Sequence, residues 1–295
     1  APRGLADPEA HFGVVGDTDG VDVPSRISDR LVEADPDLVI HTGDVVYPSG
    51  SESDYDAQFF RPFASWLLHG PILPAIGNHD AMTDRAAPLL RNFVLPANGV
   101  TPESRFYSIR DGIVELFCVD VETSPIGAGS PQYRWLKTQL EGSSALWKFV
   151  YLHEPLYSSA NANPVARLIL APLFEHAGVD IVFAGHEHLY ERTYPIRDFV
   201  PGGPGVVYIT EGAGGAAPSS FSPEEYSAFV STRPGYLLVD VSGGRLLMTA
   251  RGPDGAAFDS LALEKPYSGA SGSRRLRVKF RGFSRNDPPA RISNP

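Results

Sequence analysis

Apolar and polar positions along the chain follow two periods. Short apolar runs bounded by Gly, Pro, Asp and Ser alternate with stretches whose apolar residues recur three and four apart. HFGVV (His11–Val15) predicts a strand, SRISDRLVEA (Ser25–Ala34) a helix, and DLVI (Asp37–Ile40) a second strand. YDAQFFRPFASWLL (Tyr55–Leu68) has helical spacing perturbed by Pro62, and PILPAI (Pro71–Ile76) is a third short strand. FYSIR and IVELFCVD follow as strands, PQYRWLKTQL (Pro131–Leu140) as a helix with Pro in its first turn, and WKFVYL (Trp147–Leu152) as a strand. PVARLILAPLFEHAG (Pro164–Gly178) predicts a helix closed by Gly178. DIVFAG, GVVYIT, YLLVDV and RLLMTA complete the strands. Strand and helix alternate over the first two thirds, which implies α/β organisation, and the strand-rich end adds antiparallel strands. The Gly212–Ser222 stretch is a long loop that flanks a site or the surface. RLRVKF (Arg275–Phe280) alternates basic and apolar residues and predicts an edge strand guarded by cations.

Composition narrows the class. The 295 residues are 42% hydrophobic and 20% charged, as in ordinary globular proteins, and no apolar run is long enough for a membrane span. The net charge of −10 argues against nucleic acid held by bulk charge. It leaves room for a local cationic site made by bound ions. Cys118 is the one cysteine and lies in a predicted strand, so an intrachain disulfide and a Cys-based zinc site are excluded. Ala1 at the start fits a processed export signal or a trimmed chain, and secretion or a periplasmic location is the expectation.

Residues with ligand chemistry recur in one kind of place. VVGD ends a strand at Asp17, VIHTGD at Asp44, and PAIGNHD supplies Asn78, His79 and Asp80. FVYLHEP brings His153, and IVFAGHEH brings His186 and His188. The carboxyl ends of parallel strands share one edge, where ligands bind. Any one of these is a turn residue, an N-cap or a buried histidine on its own. Five strand ends in order, using four of the eight histidines, are hard to explain as turns. Carboxylate, imidazole, amide and phenol without thiolate suit first-row ions of borderline to hard character. Their number exceeds one site of four to six ligands, so a bridging carboxylate and two metals are expected, a centre suited to in-line displacement at phosphorus.

In this order GD (Gly16–Asp17), GDVVY (Gly43–Tyr47), GNHD and GHEH resemble the metallophosphoesterases, and the tyrosine resembles the purple acid phosphatases in particular. HEPLYSS, FAGHEHLYERTYP, VVYITEGAGG and PGYLLVDV extend the resemblance over about Phe12 to Asp254. It implies an α/β fold, a two-sheet β-sandwich flanked by helices, with a dinuclear site at the sheet edge. It implies one catalytic domain over residues 1–270, with 271–295 as its basic strand or tail. The resemblance carries Asp17, Asp44, Tyr47 and His188 to an Fe(3+) site and Asp44, Asn78, His153 and His186 to a divalent one (Fe, Zn or Mn). It makes His79 the acid for the leaving group, with Asp80 orienting it. Two positions depart from the pattern. Asp19 stands where purple acid phosphatases usually have Gly and calcineurin-like relatives a metal-binding His, and Glu154 stands where relatives often have Ala or Arg. Asp19 is read as a turn carboxylate because Tyr47 already fills the coordination role.

The implied activity is hydrolysis of small phosphate monoesters by water activated at the two metals, with an acidic optimum because His79 gives up a proton. Two rival readings remain at this stage. One is a phosphodiesterase, for instance on cyclic nucleotides, at the same centre. The other is a non-catalytic phosphate-binding protein on the same fold.

Overall fold

The computed structural model describes residues 7–267. The strands are β1 (Glu9–Val15), β2 (Leu38–His41), β3 (Ile72–Pro74), β4 (Tyr107–Asp111), β5 (Val114–Cys118), β6 (Trp147–Tyr151), β7 (Ile181–Ala184), β8 (Tyr190–Thr193), β9 (Ile196–Arg197), β10 (Val200–Pro201), β11 (Val207–Glu211), β12 (Ser227–Ser231), β13 (Tyr236–Ser242), β14 (Arg245–Arg251) and β15 (Ala257–Glu264). The α-helices are α1 (Asp22–Ala34), α2 (Ala64–Leu67), α3 (Asn78–Ala81), α4 (Ala87–Asn92), α5 (Pro131–Gly142) and α6 (Pro164–Ala177). The basic run at 275–280 lies outside the described residues. No helix among them is long and apolar enough to cross a membrane.

Two sheets are packed face to face. One has six strands in the order β15-β14-β13-β1-β2-β3, the other seven in the order β12-β8-β11-β7-β6-β5-β4. In each sheet a parallel block, β1-β2-β3 and β11-β7-β6-β5, is flanked by antiparallel strands. Phe12, Val14, Ile40, Phe149, Phe183, Val239 and Met248 fill the space between the sheets. The alternate residues turn outward beneath helices. Val15 and Val39 pack with Ile27 and Leu31 of α1, while Val150 and Val182 pack with Leu136 of α5 and Leu170 of α6. Both parallel blocks are buried on two faces, which explains why their strands read as unbroken apolar runs. The outcome is the sandwich flanked by helices that the motifs imply.

Helix ends follow local chemistry. Ser130 Oγ and Asn163 Oδ1 accept the Tyr133 and Ala166 N–H groups at the starts of α5 and α6, and left-handed Gly178 closes α6. The expected helix at 55–68 is instead three short pieces: a 3-10 turn at Glu52–Asp54, a π-turn at Asp56–Phe60 and α2. Pro62 is the cause. It lacks an N–H and its ring crowds the preceding turn, so the Arg61 N–H reaches back five residues to the Asp56 carbonyl at 3.0 Å. The short helices α3 and α4 and the strands β8, β9, β10, β12 and β15 are additions to the sequence reading.

Glu211 at the end of β11 is fully buried, and neither carboxyl oxygen has a hydrogen-bond partner. Burial pushes its carboxyl up to about 8, opposed only in part by the nearby Ala213 N–H. An acid raised in this way is protonated preferentially in the folded chain, so stability falls as pH climbs from the ordinary glutamate value toward 8. The slope contributed is up to about 1.4 kcal/mol per pH unit. Glu211→Gln is expected to flatten this part of the melting temperature profile and to melt higher than wild type at pH 8 (about 8, where the wild-type group ionises). An unchanged profile would show that Glu211 is not the group responsible.

Candidate metal centre

The parallel blocks of both sheets present their carboxyl ends to one rim. Asp17 follows β1, Asp44 follows β2 and Asn78 follows β3, all in the six-stranded sheet; His153 follows β6 and His186 follows β7 in the other. The rim is therefore shared between two sheets, not five ends of one. Asp17, Asp44 and His186 adopt left-handed backbone, with φ of 55°, 55° and 69°. Each such turn is unfavourable by on the order of 1 kcal/mol or more, and residues of this kind gather at functional sites. Close approach of the loops demands glycine. A Cβ on Gly77 would fall 2.2 Å from the Asp44 amide nitrogen, and one on Gly43 would fall 2.5 Å from His153 Nδ1.

Two groups of electron-pair donors result. In the first, the Tyr47 hydroxyl lies 3.3 Å from Asp17 Oδ1, 3.1 Å from Asp44 Oδ2 and 3.3 Å from His188 Nε2. His188 Nε2 is 3.6 Å from Asp17 Oδ1. In the second, Asn78 Oδ1 lies 2.9 Å from His153 Nε2 and 2.8 Å from His186 Nδ1, and the two ring nitrogens are 3.3 Å apart. His153 Nε2 is 3.5 Å from Asp44 Oδ2. One oxygen of Asp44 thus borders both groups.

The outer hydrogen bonds fix which atoms face inward. His153 Nδ1 donates to the Thr42 carbonyl at 2.9 Å and His188 Nδ1 to the Ala217 carbonyl at 2.6 Å, so each Nε2 turns its lone pair to the centre. Ser219 Oγ accepts the His188 N–H, and Ala216 N–H donates to the Asp17 carbonyl. The Gly212–Ser222 loop is thereby the wall of the site. Gln58, from the π-turn, clamps the backbone of Tyr47 on both sides: its amide oxygen accepts the Tyr47 N–H at 2.9 Å and its amide nitrogen donates to the Tyr47 carbonyl at 2.7 Å.

Asp17 and Asp44 are buried, and no Lys or Arg is among the largest influences on either. Among the protein groups alone, burial drives the Asp17 carboxyl well above the carboxylate range, only partly countered by His153. Burial also pushes Asp44 up, but His153 outweighs it and holds the group below that range. His153 is pulled up to about 10: burial opposes its charge and Asp44 overcomes burial. Burial, then Asp17 and Asp44, raise the Tyr47 phenol far above its usual value. Lone pairs facing lone pairs, and buried carboxylates faced by imidazole with no Lys or Arg among the largest charges acting on them, suit bound cations. Donors that share one ion at about 2.0–2.2 Å lie roughly 2.8–3.6 Å apart, the separations seen in both groups. The residues present fit two ions.

His79 and Asp80 sit beside this centre. His79 Nε2 is 3.9 Å from Asp44 Oδ2, its ring packs on the Tyr47 ring with centroids 4.4 Å apart, and its amide donates to Asp44 Oδ1 at 2.8 Å. The expectation that Asp80 orients the His79 ring is corrected. His79 Nδ1 is held by the Pro48 carbonyl at 2.6 Å, whereas the Asp80 carboxylate accepts the backbone N–H groups of Asp44, Val45 and Gly77. Asp80 ties the GDVVY loop to the GNHD loop. Asp19 is exposed and accepts the Gly20 N–H within its own turn. Gln58, Pro48, Thr42, Ala217 and Ser219 were not singled out as site residues by the sequence. Four of them act through backbone or are ordinary loop residues, and only the Gly/Ala/Ser loop carried a signal.

Two facing sheets thus place carboxylate, imidazole, amide and phenol donors along one shared rim, a set suited to first-row metal ions. The family model of the calcineurin-like phosphoesterases matches residues 10–190, well over half of the 295-residue chain, and the chain belongs to that family. It is 29% identical over 217 residues to purple acid phosphatase 21 from Arabidopsis thaliana, covering 69% of this chain and 49% of that protein. It is 26% identical over 322 residues to phosphoenolpyruvate phosphatase from Allium cepa, covering 94% of this chain and 65% of that protein. The chain therefore spans between about half and two thirds of these relatives. Its fold matches that of a purple acid phosphatase from yellow lupin (Lupinus luteus) seeds with a TM-score of 0.82 at 23% identity, covering 90% of this chain and 55% of that one.

Asp44→Asn is expected to lower the content of both ions in the purified protein, measured by elemental analysis, because its Oδ2 borders both groups. Asp19→Gly is expected to leave the metal content at the wild-type value. Loss of one ion alone in the first variant, or any clear loss in the second, contradicts the arrangement.

Proposed function

We propose that the chain is a purple acid phosphatase-like hydrolase of phosphate monoesters, acting at a centre of Fe(3+) and a divalent ion. The observation that carries this reading is the Tyr47 hydroxyl, set between Asp17, Asp44 and His188. A phenolate is a hard anionic donor and suits a trivalent ion. Asp17, Asp44, Tyr47 and His188 would hold that ion; Asp44, Asn78, His153 and His186 would hold the divalent one. When bound, such ions lower the pKa of coordinated water and neutralise charge on the phosphoryl oxygens.

The chain's own groups do the rest. His79 lies within reach of Asp44 and presents Nε2 to the site while the Pro48 carbonyl holds the opposite nitrogen. That tautomer leaves Nε2 to take a proton and pass it to a departing alkoxide. The Tyr47 ring beneath His79 fixes the ring's height above the centre. Asp80 keeps the two loops in register through three backbone N–H groups. A substrate of small phosphorylated type and an acidic working range fit a secreted or periplasmic enzyme.

Tyr47→Phe keeps the ring and removes the oxygen. A visible absorption band of the iron-loaded wild type should vanish in this variant while the fold, read by circular dichroism, persists. A band that survives the substitution removes Tyr47 from the iron site. His79→Ala should lower kcat by on the order of a hundredfold for alkyl phosphates and much less for 4-nitrophenyl phosphate, whose leaving group needs no proton. Equal losses on both substrates, or loss of bound metal, sink the acid role.

A further inference from the structure

Arginines in this acidic protein are commonly matched by carboxylates, as Arg91 is by Glu52, Arg192 by Asp259 and Arg233 by Asp254. Arg85 and Arg105 are different. Their hydrogen bonds go to uncharged groups: Arg85 Nη2 donates to the Thr123 carbonyl at 2.6 Å, and Arg105 Nη1 donates to the Thr123 hydroxyl at 2.9 Å and to the Arg85 carbonyl at 2.6 Å. Among the described residues neither has an ion-pair partner. Two like charges are thus drawn onto one threonine.

Their position is the rim of the metal centre. Arg85 follows α3, which carries His79, by a few residues. Arg105 precedes β4, whose first residue, Tyr107, pairs with Cys118 at the end of β5. β5 is parallel to β6, so the loop bearing Thr123 leaves the sheet at the same end as the loop bearing His153. Glu122, next to Thr123, is close enough to act electrostatically on His153. Asp120 fixes that loop by accepting the N–H groups of Glu122 and Thr123 and the hydroxyls of Thr123 and Ser124.

The backbone is bent to hold Arg85 there. Asp84, Arg85 and Ala86 have φ of 47°, 54° and 64°, three consecutive left-handed residues without a glycine. Such a turn persists where its surroundings over-determine it. Here Thr83 Oγ1 bonds to the Ser49 carbonyl on one side and Arg85 bonds to Thr123 on the other. Arg85 is exposed and Arg105 half-buried, and each guanidinium has five N–H donors, most of them left over.

We propose that Arg85 and Arg105 form an anion subsite at the mouth of the centre, which takes a second negatively charged group, carboxylate or phosphate, on the leaving-group side of a phosphate monoester. A guanidinium fork suits either planar carboxylate or phosphate oxygens. Burial pushes Glu122 up to about 7, which lessens its opposition to an anion in mildly acidic solution, while the Asp120 carboxylate is engaged by the N–H groups of Glu122 and Thr123 and the hydroxyls of Thr123 and Ser124. The subsite rests on the phosphomonoesterase reading of the centre.

The test uses the metal-loaded protein, wild type and Arg85→Gln/Arg105→Gln, with three substrates: 3-phosphoglycerate, fructose 1,6-bisphosphate and glycerol 2-phosphate. The kcat/KM of the first two relative to the third should fall about tenfold or more in the double variant, mainly through KM. A fall for 3-phosphoglycerate alone assigns a carboxylate ligand, and one for the bisphosphate alone assigns a phosphate. An unchanged ratio for both overturns the subsite. Isothermal titration of the same three compounds needs no turnover and separates the two readings. An affinity advantage for the anion-bearing compounds that depends on the arginines, without hydrolysis, defeats the phosphatase reading and keeps the subsite. Equal affinities in wild type and variant defeat the subsite alone. Arg85→Glu, at an exposed position, is the second variant and should lower the ratio further; a ratio at the wild-type value contradicts the proposal.

Discussion

Buried negative charge at Asp17 and Asp44 is what the rest of the molecule is arranged around. Both carboxylates lie at strand ends with negligible exposure, and the groups packed against them are imidazoles, a phenol and backbone N–H groups. Without a cation this is an unfavourable burial of charge; with cations bound it becomes an ordinary metal environment. Asp44 carries the larger share. Its Oδ2 borders both donor groups, its Oδ1 accepts the His79 N–H, and its own N–H is taken by Asp80. The position of His79, the registry of two loops and the border shared by both donor groups pass through this one residue.

The sandwich supplies that environment because its two parallel blocks end together. Donors from β1, β2 and β3 meet donors from β6 and β7 across the top of a core made of Phe12, Phe149 and Phe183. A shift of one sheet against the other would part Asp44 from His153, so the aromatic packing between sheets also sets the spacing between donor groups. The far edge is tied as well: Arg192 and Tyr190 on β8 both bond Asp259 on β15.

Strand ends were the legible part of the site. Asp17, Asp44, Asn78, His153, His186 and His188 each follow an apolar run, and the apolar runs themselves are legible because strands buried on both faces leave no polar interruption. The parts that stayed hidden act through main chain or through distant sequence. Pro48 contributes a carbonyl, Ala217 another, and a carbonyl has no signature in residue type. Gln58 reaches Tyr47 from a π-turn that stands where the sequence predicts a regular helix. Asp80 was assigned to the His79 ring from the motif, and its true partners are N–H groups on three residues of two loops. Arg85 and Arg105 are twenty residues apart in sequence and meet through Thr123 and through a bond from Arg105 to the Arg85 carbonyl.

The direct test of the account is the metal stoichiometry of the purified wild-type protein, with its visible spectrum. Asp44 placed between two donor groups predicts two ions per chain, one of them iron, together with a charge-transfer band from the Tyr47 phenolate. One ion per chain after loading, or two ions including iron with no visible band, would contradict it.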